Sequence, residues 1–257
     1  MAASPGTRSP YLTVYRPSPD ASVRLVCLPH AGGAASFYVP VAQALAPRVE
    51  VVSVQYPGRH ERYADPLVPD LGTLADRIAE SLLTCTDRPY ALFGHSMGSL
   101  VGFEVARRME AAGRGPLELF ASGSRAPSVE RRGRTWHDIP DDVFVARVQS
   151  MGGAGSQLLD DPDIRQMLLP ALRNDYRAVE RYAYRPQPPL ACPVTAFTGA
   201  DDPRVTVADV RTWAHHTTGP FDVEVHPGGH FFLADRWTEI LDTVIRHLKD
   251  PALDPCR

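Results

Sequence analysis

Ala91-Leu-Phe-Gly-His-Ser-Met-Gly-Ser-Leu100 decides how the rest of the chain is read. It contains Gly94-His-Ser-Met-Gly98, a G-x-S-x-G pattern. Apolar Tyr90 to Phe93 lead into it and an amphipathic helical pattern leads out, so the serine falls where a strand turns into a helix. A turn that sharp holds its central residue in a strained backbone conformation. Glycines two residues to either side leave room for strand and helix to approach closely. The Ser96 hydroxyl then stands at the end of a sheet, beside the positive N-terminus of the helix. G-x-S-x-G also arises by chance in glycine-rich loops, so the reading needs a base and an acid elsewhere.

Outward from this stretch the chain alternates strand and helix. Val23–Leu28 is a short, mostly apolar run closed by Pro29, and Val49–Val54 is β-branched and apolar. Both read as inner strands. Tyr11–Tyr15 reads as a short edge strand. Ser36 is placed to cap a helix with Phe37, Val41, Ala44 and Leu45 on one face. Asp70 opens another, with Leu71, Leu74, Ile78 and Leu82 spaced by three and four. The helix after Ser96 carries Leu100, Val101, Val105 and Met109 inward and stops near Gly113. Leu117–Ala121, Val194–Thr198 and Phe221–Val225 are further strands. Thr206–Trp213 and a segment through Ile240, Leu241, Val244, Ile245 and Leu248 are further helices. This alternation predicts a mostly parallel sheet with helices on both faces.

The alternation is interrupted between Arg125 and Pro189. Asp141–Met151 and a helix opened by Asp161-Pro162 carry apolar faces, with Pro170 expected to kink the second. They read as a helical lid, residues 125–189, inserted into a core of residues 11–124 and 190–249, with flexible termini at 1–10 and 250–257. Phe144, Met151, Leu168 and Leu172 are candidates to line a chamber beneath the lid; their plainer role is to glue the lid helices to the core.

Composition bounds the function. A hydrophobic content of 44% and a charged content of 22% suit a soluble globular protein. The net charge of −3 argues against a general nucleic-acid binder. Cys27, Cys85, Cys192 and Cys256 match neither a zinc motif nor a redox pair. No apolar run approaches the length of a membrane span, and residues 1–10 lack a signal core. A cytosolic protein with no membrane partner follows as the simplest expectation, and nothing demands more than a monomer.

A serine hydroxyl needs a base, and the base an orienting acid. In a strand-turn-helix site of this kind the order is serine, acid, histidine. Gly228-Gly-His230 follows the last strand, and its glycines let the loop bend so that the imidazole reaches the serine. His95 adjoins the nucleophile and points elsewhere, His226 precedes the turn, and His215 and His216 sit at a helix end where exposure is expected. After the strand Val194–Thr198 stands Gly199-Ala-Asp-Asp-Pro203, which offers both Asp201 and Asp202. The spacing usual in such hydrolases favours Asp202. The oxyanion needs backbone donors. Met97, after the nucleophile, supplies one amide, and the loop His30-Ala-Gly-Gly33 the other, through Ala31.

Leu28-Pro-His-Ala-Gly-Gly33, Gln55-Tyr-Pro-Gly-Arg59, Phe93-Gly-His-Ser-Met-Gly98, Asp202 and Gly228-Gly-His-Phe231 together resemble the type II, external editing thioesterases of polyketide and nonribosomal peptide synthesis, within the α/β-hydrolase fold. The resemblance runs from about residue 11 to 249. It implies a serine hydrolase that removes acyl groups from the phosphopantetheine arm of acyl or peptidyl carrier proteins, with no metal or cofactor. Carrier proteins are commonly acidic, so Arg131, Arg132 and Arg134 are candidates to dock one, although basic runs are more often solvated loop.

Overall fold

The inner strands are apolar on both faces because each face meets a different core. Along β2 (Arg24–Leu28), Leu25 and Cys27 enter one core, while Val26 and Leu28 enter the other. The same two-residue alternation sends Phe93 and Leu92 of β4 (Tyr90–His95) to opposite sides, and likewise Phe120 and Leu119 of β5 (Leu119–Ser122). A computed structural model describes residues 9–85, 87–130, 135–153 and 156–248.

The remaining strands are β1 (Leu12–Thr13), β3 (Glu50–Val54), β6 (Val194–Gly199) and β7 (Phe221–His226). The seven form one sheet in the order β1-β3-β2-β4-β5-β6-β7. Every pairing is parallel except that of β1 with β3, as expected for a short edge strand at the start of the chain. This is the α/β architecture expected from the alternation of elements.

Helices α1 (Val39–Leu45) and α7 (Leu233–Leu248) cover one face. On the other lie α2 (Leu71–Leu83) and α3 (Met97–Ala111), with Val210 of the short α6 (Val207–Arg211) in the same core. Asp70 caps α2 by accepting from the Thr73 amide at 2.7 Å. Gly113, at φ +69°, ends α3, and the Arg114 amide turns back to the Met109 carbonyl at 2.8 Å.

Two local expectations are corrected. Ser36 caps nothing: it lies inside a 3-10 turn, Ala35–Tyr38, that leads straight into α1. The helix expected over Thr206–Trp213 is shorter: Thr206 caps α6, which ends at Arg211 and is followed by a 3-10 turn, Thr212–His216.

Between β5 and β6 the described residues carry α4 (Asp141–Gln149) and α5 (Pro162–Glu180). Asp161 caps α5 by accepting from the amides of Asp163 and Ile164. Pro170 does not break it; the helix runs through. Phe144, Val145, Leu159, Leu172 and Tyr176 form a separate small core over the C-terminal ends of the strands. Further along α5, Ala178 and Val179 join the core beneath. Residues 1–8, Arg131, Arg132, Arg134 and the stretch from 249 onward lie outside the described residues.

Candidate active site

Ser96 sits between β4 and α3 with φ 54° and ψ −113°. A non-glycine residue held there stores about 1–3 kcal/mol of strain, so the surroundings must fix it. They do so by crowding. A Cβ on Gly94 would lie 2.2 Å from the Gly98 carbonyl oxygen, and one on Gly98 would lie 2.0 Å from the Leu28 carbonyl oxygen. The Ser96 amide donates to the Ser122 carbonyl at 2.8 Å, and the Ser99 hydroxyl bridges the Gly94 and Ser122 carbonyls. The elbow is thus wedged against the ends of both β2 and β5.

A second close approach brings Asp202 and His230 together. A Cβ on Gly199, the last residue of β6, would lie 2.3 Å from the Gly229 carbonyl oxygen. Gly228 turns at φ +118°, and its carbonyl accepts from the Asp201 amide at 2.9 Å. The loops after β6 and β7 therefore lie on one another. His230 Nδ1 is 2.7 Å from Asp202 Oδ2, and His230 Nε2 is 3.0 Å from Ser96 Oγ. The other Asp202 oxygen accepts from the amides of Arg204 at 2.8 Å and Val205 at 3.3 Å. The Asp202 side chain is fully buried, whereas Asp201 is exposed. Three side chains from three loops, spread over 134 positions, so form one hydrogen-bonded line.

Ala31 and Met97 border the same cleft as Ser96 and His230, a space of about 330 Å3. Among the described residues no acceptor takes either N–H. Met97 opens α3, so its amide carries the positive end of that helix dipole. Trp136, Tyr176 and Arg204 close the far side. Trp136 stacks on Tyr176 with ring centroids 5.7 Å apart, and the Arg204 guanidinium lies 4.6 Å from the Trp136 centroid.

The neighbouring histidines stay neutral. Burial, and then the nearby His230, pull His95 well below its ordinary range, and the same causes with Arg59 pull His30 down to about 3. His95 Nδ1 faces the Ser122 hydroxyl at 3.0 Å, away from the cleft. His216, expected to be exposed, is buried instead: its ring packs edge-on to Phe103 and Tyr184, and its Nε2 meets the Ser128 hydroxyl at 2.8 Å.

A family model described as a thioesterase domain matches residues 23–249. The probable cadicidin biosynthesis thioesterase of Streptomyces griseus is 50% identical over 98% of this chain and 68% of its own. Thioesterase PikA5 of Streptomyces venezuelae is 42% identical over 91% of this chain and 84% of its own. The solved type II thioesterase BorB, from the borrelidin biosynthetic cluster, superposes with a TM-score of 0.89 at 45% identity, covering 95% of this chain and all of that one. The chain belongs to the type II thioesterases. It is an editing thioesterase of polyketide or nonribosomal peptide biosynthesis, as the motif resemblance implied.

One expectation about the thioesterase's cleft is corrected. Met151, Leu168 and Leu172 do line a second apolar space of about 330 Å3, which meets the first at Ala31 and Tyr176. Phe144 does not. It is fully buried in the small separate core, edge-on to Tyr176, with the Arg173 guanidinium over its ring.

Sequence reading also missed Asp175. It is buried on the inward side of α5, pairs with Arg59, and accepts from the Gly32 amide at 2.8 Å. The signal was an acid three residues after Leu172 and one before Tyr176, on the face of the helix that is otherwise apolar.

Proposed function

We propose that this type II thioesterase hydrolyses acyl thioesters on the phosphopantetheine arm of carrier proteins, with Ser96 as nucleophile, His230 as base and acid, and Asp202 as its orienting partner. The observation that carries the reading is the line of hydrogen bonds from Ser96 Oγ through both His230 nitrogens to Asp202. Ser96 Oγ attacks the thioester carbonyl carbon while His230 Nε2 takes its proton. Asp202 accepts from Nδ1–H, which keeps Nε2 free as the base and steadies the imidazolium that forms. The carbonyl oxygen becomes an oxyanion facing the amides of Ala31 and Met97. On collapse the C–S bond breaks, and the pantetheine sulfur leaves with the proton from His230. Water then gives a proton to His230 and attacks the acyl-serine. The second collapse releases the carboxylic acid and returns the proton to Ser96.

The apolar space beside Met151, Leu168 and Leu172 suits an acyl chain. The more polar cleft, with Trp136 and Arg204 at its edge, suits the pantetheine arm. In this reading α4 and α5 act as the lid, and the work takes place in the cytosol.

The test is hydrolysis of a panel of acylated carrier proteins by the natural protein and by Ser96→Ala. Release of free acid by the natural protein, lost by at least about 10³-fold in Ser96→Ala, supports the reading. Activity that survives the substitution, or that is confined to simple oxygen esters, overturns it.

A further inference from the structure

The Gln55-Tyr-Pro-Gly-Arg59 motif has no part in the chemistry described so far, yet its arginine lies within reach of the active-site loop. Arg59 is buried, and it pairs with the equally buried Asp175 of α5. A second Arg59 nitrogen donates to the Pro57 carbonyl at 2.7 Å, which ties the guanidinium to its own turn. The Arg59 carbonyl accepts from the Gln55 side-chain amide at 3.2 Å. The Gln55 side-chain oxygen in turn accepts from the Ala35 amide at 2.9 Å. The motif therefore holds the chain two residues past the loop His30–Gly33, at Ala35.

Asp175 grips the same loop in the middle. Its Oδ2 takes the Gly32 N–H at 2.8 Å as well as the Arg59 guanidinium. Leu172, one turn earlier on α5, lies flat against Gly32: a Cβ there would sit 2.4 Å from Leu172 Cδ1, and Gly32 turns at φ +76°. The Gly33 amide is also taken, by the His30 carbonyl at 2.9 Å, and Tyr56 holds the Pro29 carbonyl at 3.1 Å. The groups on both sides of Ala31 are thus fixed, and Ala31 itself, between them, borders the cleft that holds Ser96.

A buried ion pair is weak evidence of net stability, because desolvation of both charges offsets their attraction. Retaining one here makes sense if the carboxylate has a positional task. Burial pushes the Asp175 carboxyl upward, against the pull of Arg59, the Gly32 amide and the Asn174 side chain.

We infer that Asp175, held by Arg59, is a positioning residue for the oxyanion hole: by fixing the Gly32 peptide it aims the Ala31 N–H at the carbonyl oxygen. The lid helix and the hole are then one unit, and α5 must be seated for the hole to exist. This rests on the role proposed above for Ala31.

The experiment compares Asp175→Ala, Asp175→Asn and the double variant Arg59→Met/Asp175→Leu with the natural protein, using a soluble acyl-pantetheine thioester. Two ligands separate positioning from general disruption. One is an acyl trifluoromethyl ketone, whose adduct with Ser96 puts a negative oxygen in the hole. The other is the unreactive amide analogue of the substrate, which binds without using the hole's full strength. Asp175→Ala is expected to lower kcat by about 10²-fold with KM within about twofold. Trifluoromethyl ketone affinity should fall in parallel, and amide affinity should hold. Asp175→Asn keeps an acceptor for Gly32 and is expected to lose only about tenfold. If Asp175→Ala leaves Arg59 unpaired and fails to fold, the apolar double variant carries the same test, since it removes both charges and the Gly32 acceptor together. A folded variant with kcat within threefold of natural overturns the inference, as does equal loss of affinity for both ligands. Loss of activity in Ser96→Ala alongside normal turnover in the Asp175 variants would overturn this inference and leave the proposed function standing.

Discussion

Replacing Asp202 by Asn tests the proposed chemistry with almost no change of shape. One Asp202 oxygen accepts from the amides of Arg204 and Val205, and the other accepts from His230 Nδ1 at 2.7 Å. An asparagine keeps its single oxygen toward the two amides, because its NH2 group cannot face them. The NH2 then lies against Nδ1 and donates to it. The imidazole must carry its proton on Nε2, which faces Ser96 Oγ at 3.0 Å, so the base is already occupied. Escape requires the asparagine to flip and leave two buried N–H groups without acceptors, at about 1–3 kcal/mol each. A barrier raised by about 2–6 kcal/mol corresponds to a loss between roughly 30-fold and 10⁴-fold. The upper end matches the scale known for the same substitution in serine-protease triads, about 10⁴. The assay is kcat/KM on an acyl-pantetheine thioester, with Asp201→Asn run in parallel. Asp201 is exposed and anchors the turn through its backbone alone, so its variant is expected within twofold of natural. A loss below tenfold in Asp202→Asn, or an equal loss in Asp201→Asn, would refute the assignment.

Gly98→Ala forces a methyl to within 2.0 Å of the Leu28 carbonyl and should destabilise the fold by about 3 kcal/mol or more, read as a lower thermal midpoint; an unchanged midpoint would mean the wedge is not tight. Phe144→Ala should cost about 3–5 kcal/mol of stability in denaturant titration and leave the acyl-length profile alone, whereas Met151→Ala should shift the profile toward longer chains; the reverse pattern would reinstate Phe144 as lining. His30, held down to about 3, and His95, held well below its usual range, stay neutral in the fold and gain protons on unfolding below about pH 6.5. Their contribution is full above that pH and is lost as pH falls toward the folded values, so His30 alone should remove about 2 kcal/mol between pH 7 and pH 5. Urea midpoints across that range check it, and a flat profile would contradict buried neutral rings.

Much of this was legible locally. Strand, turn and helix around Ser96 follow from a change of hydrophobic period within ten residues. The caps at Asp70 and Asp161 follow from side chains that satisfy amides two or three positions on. His230 follows from its place after the last strand. Other features depend on contacts that no local pattern encodes. Asp201 and Asp202 share a turn and a charge, and only the overlap of Gly199 with Gly228 and Gly229 turns one of them toward the imidazole. Phe144 and Met151 are both apolar and lie seven positions apart between β5 and β6, so which one faces empty space is a matter of packing. Asp175 and Arg59 are 116 positions apart, and only α5 folding back over the first loop brings them together. His216 reads as a surface group from sequence, because its place at a helix end carries no trace of Phe103 and Tyr184 around it.

The way α5 is fastened limits how the site can be uncovered. Its later turns are bedded in the main core through Ala178 and Val179, while Leu168 and Leu169, before Pro170, pack on the small separate core shared with α4 and the 3-10 turn Ser156–Asp160. Pro170 has no N–H to give, so the Gln166 carbonyl lacks its helical partner at the boundary between these halves. Breathing is therefore expected to be one-ended, like a lever with a buried fulcrum. Amide hydrogens ahead of Pro170 should trade with deuterium sooner than those beyond Leu172, and an acyl chain would thread in beneath the free tip while the anchored half stays in place.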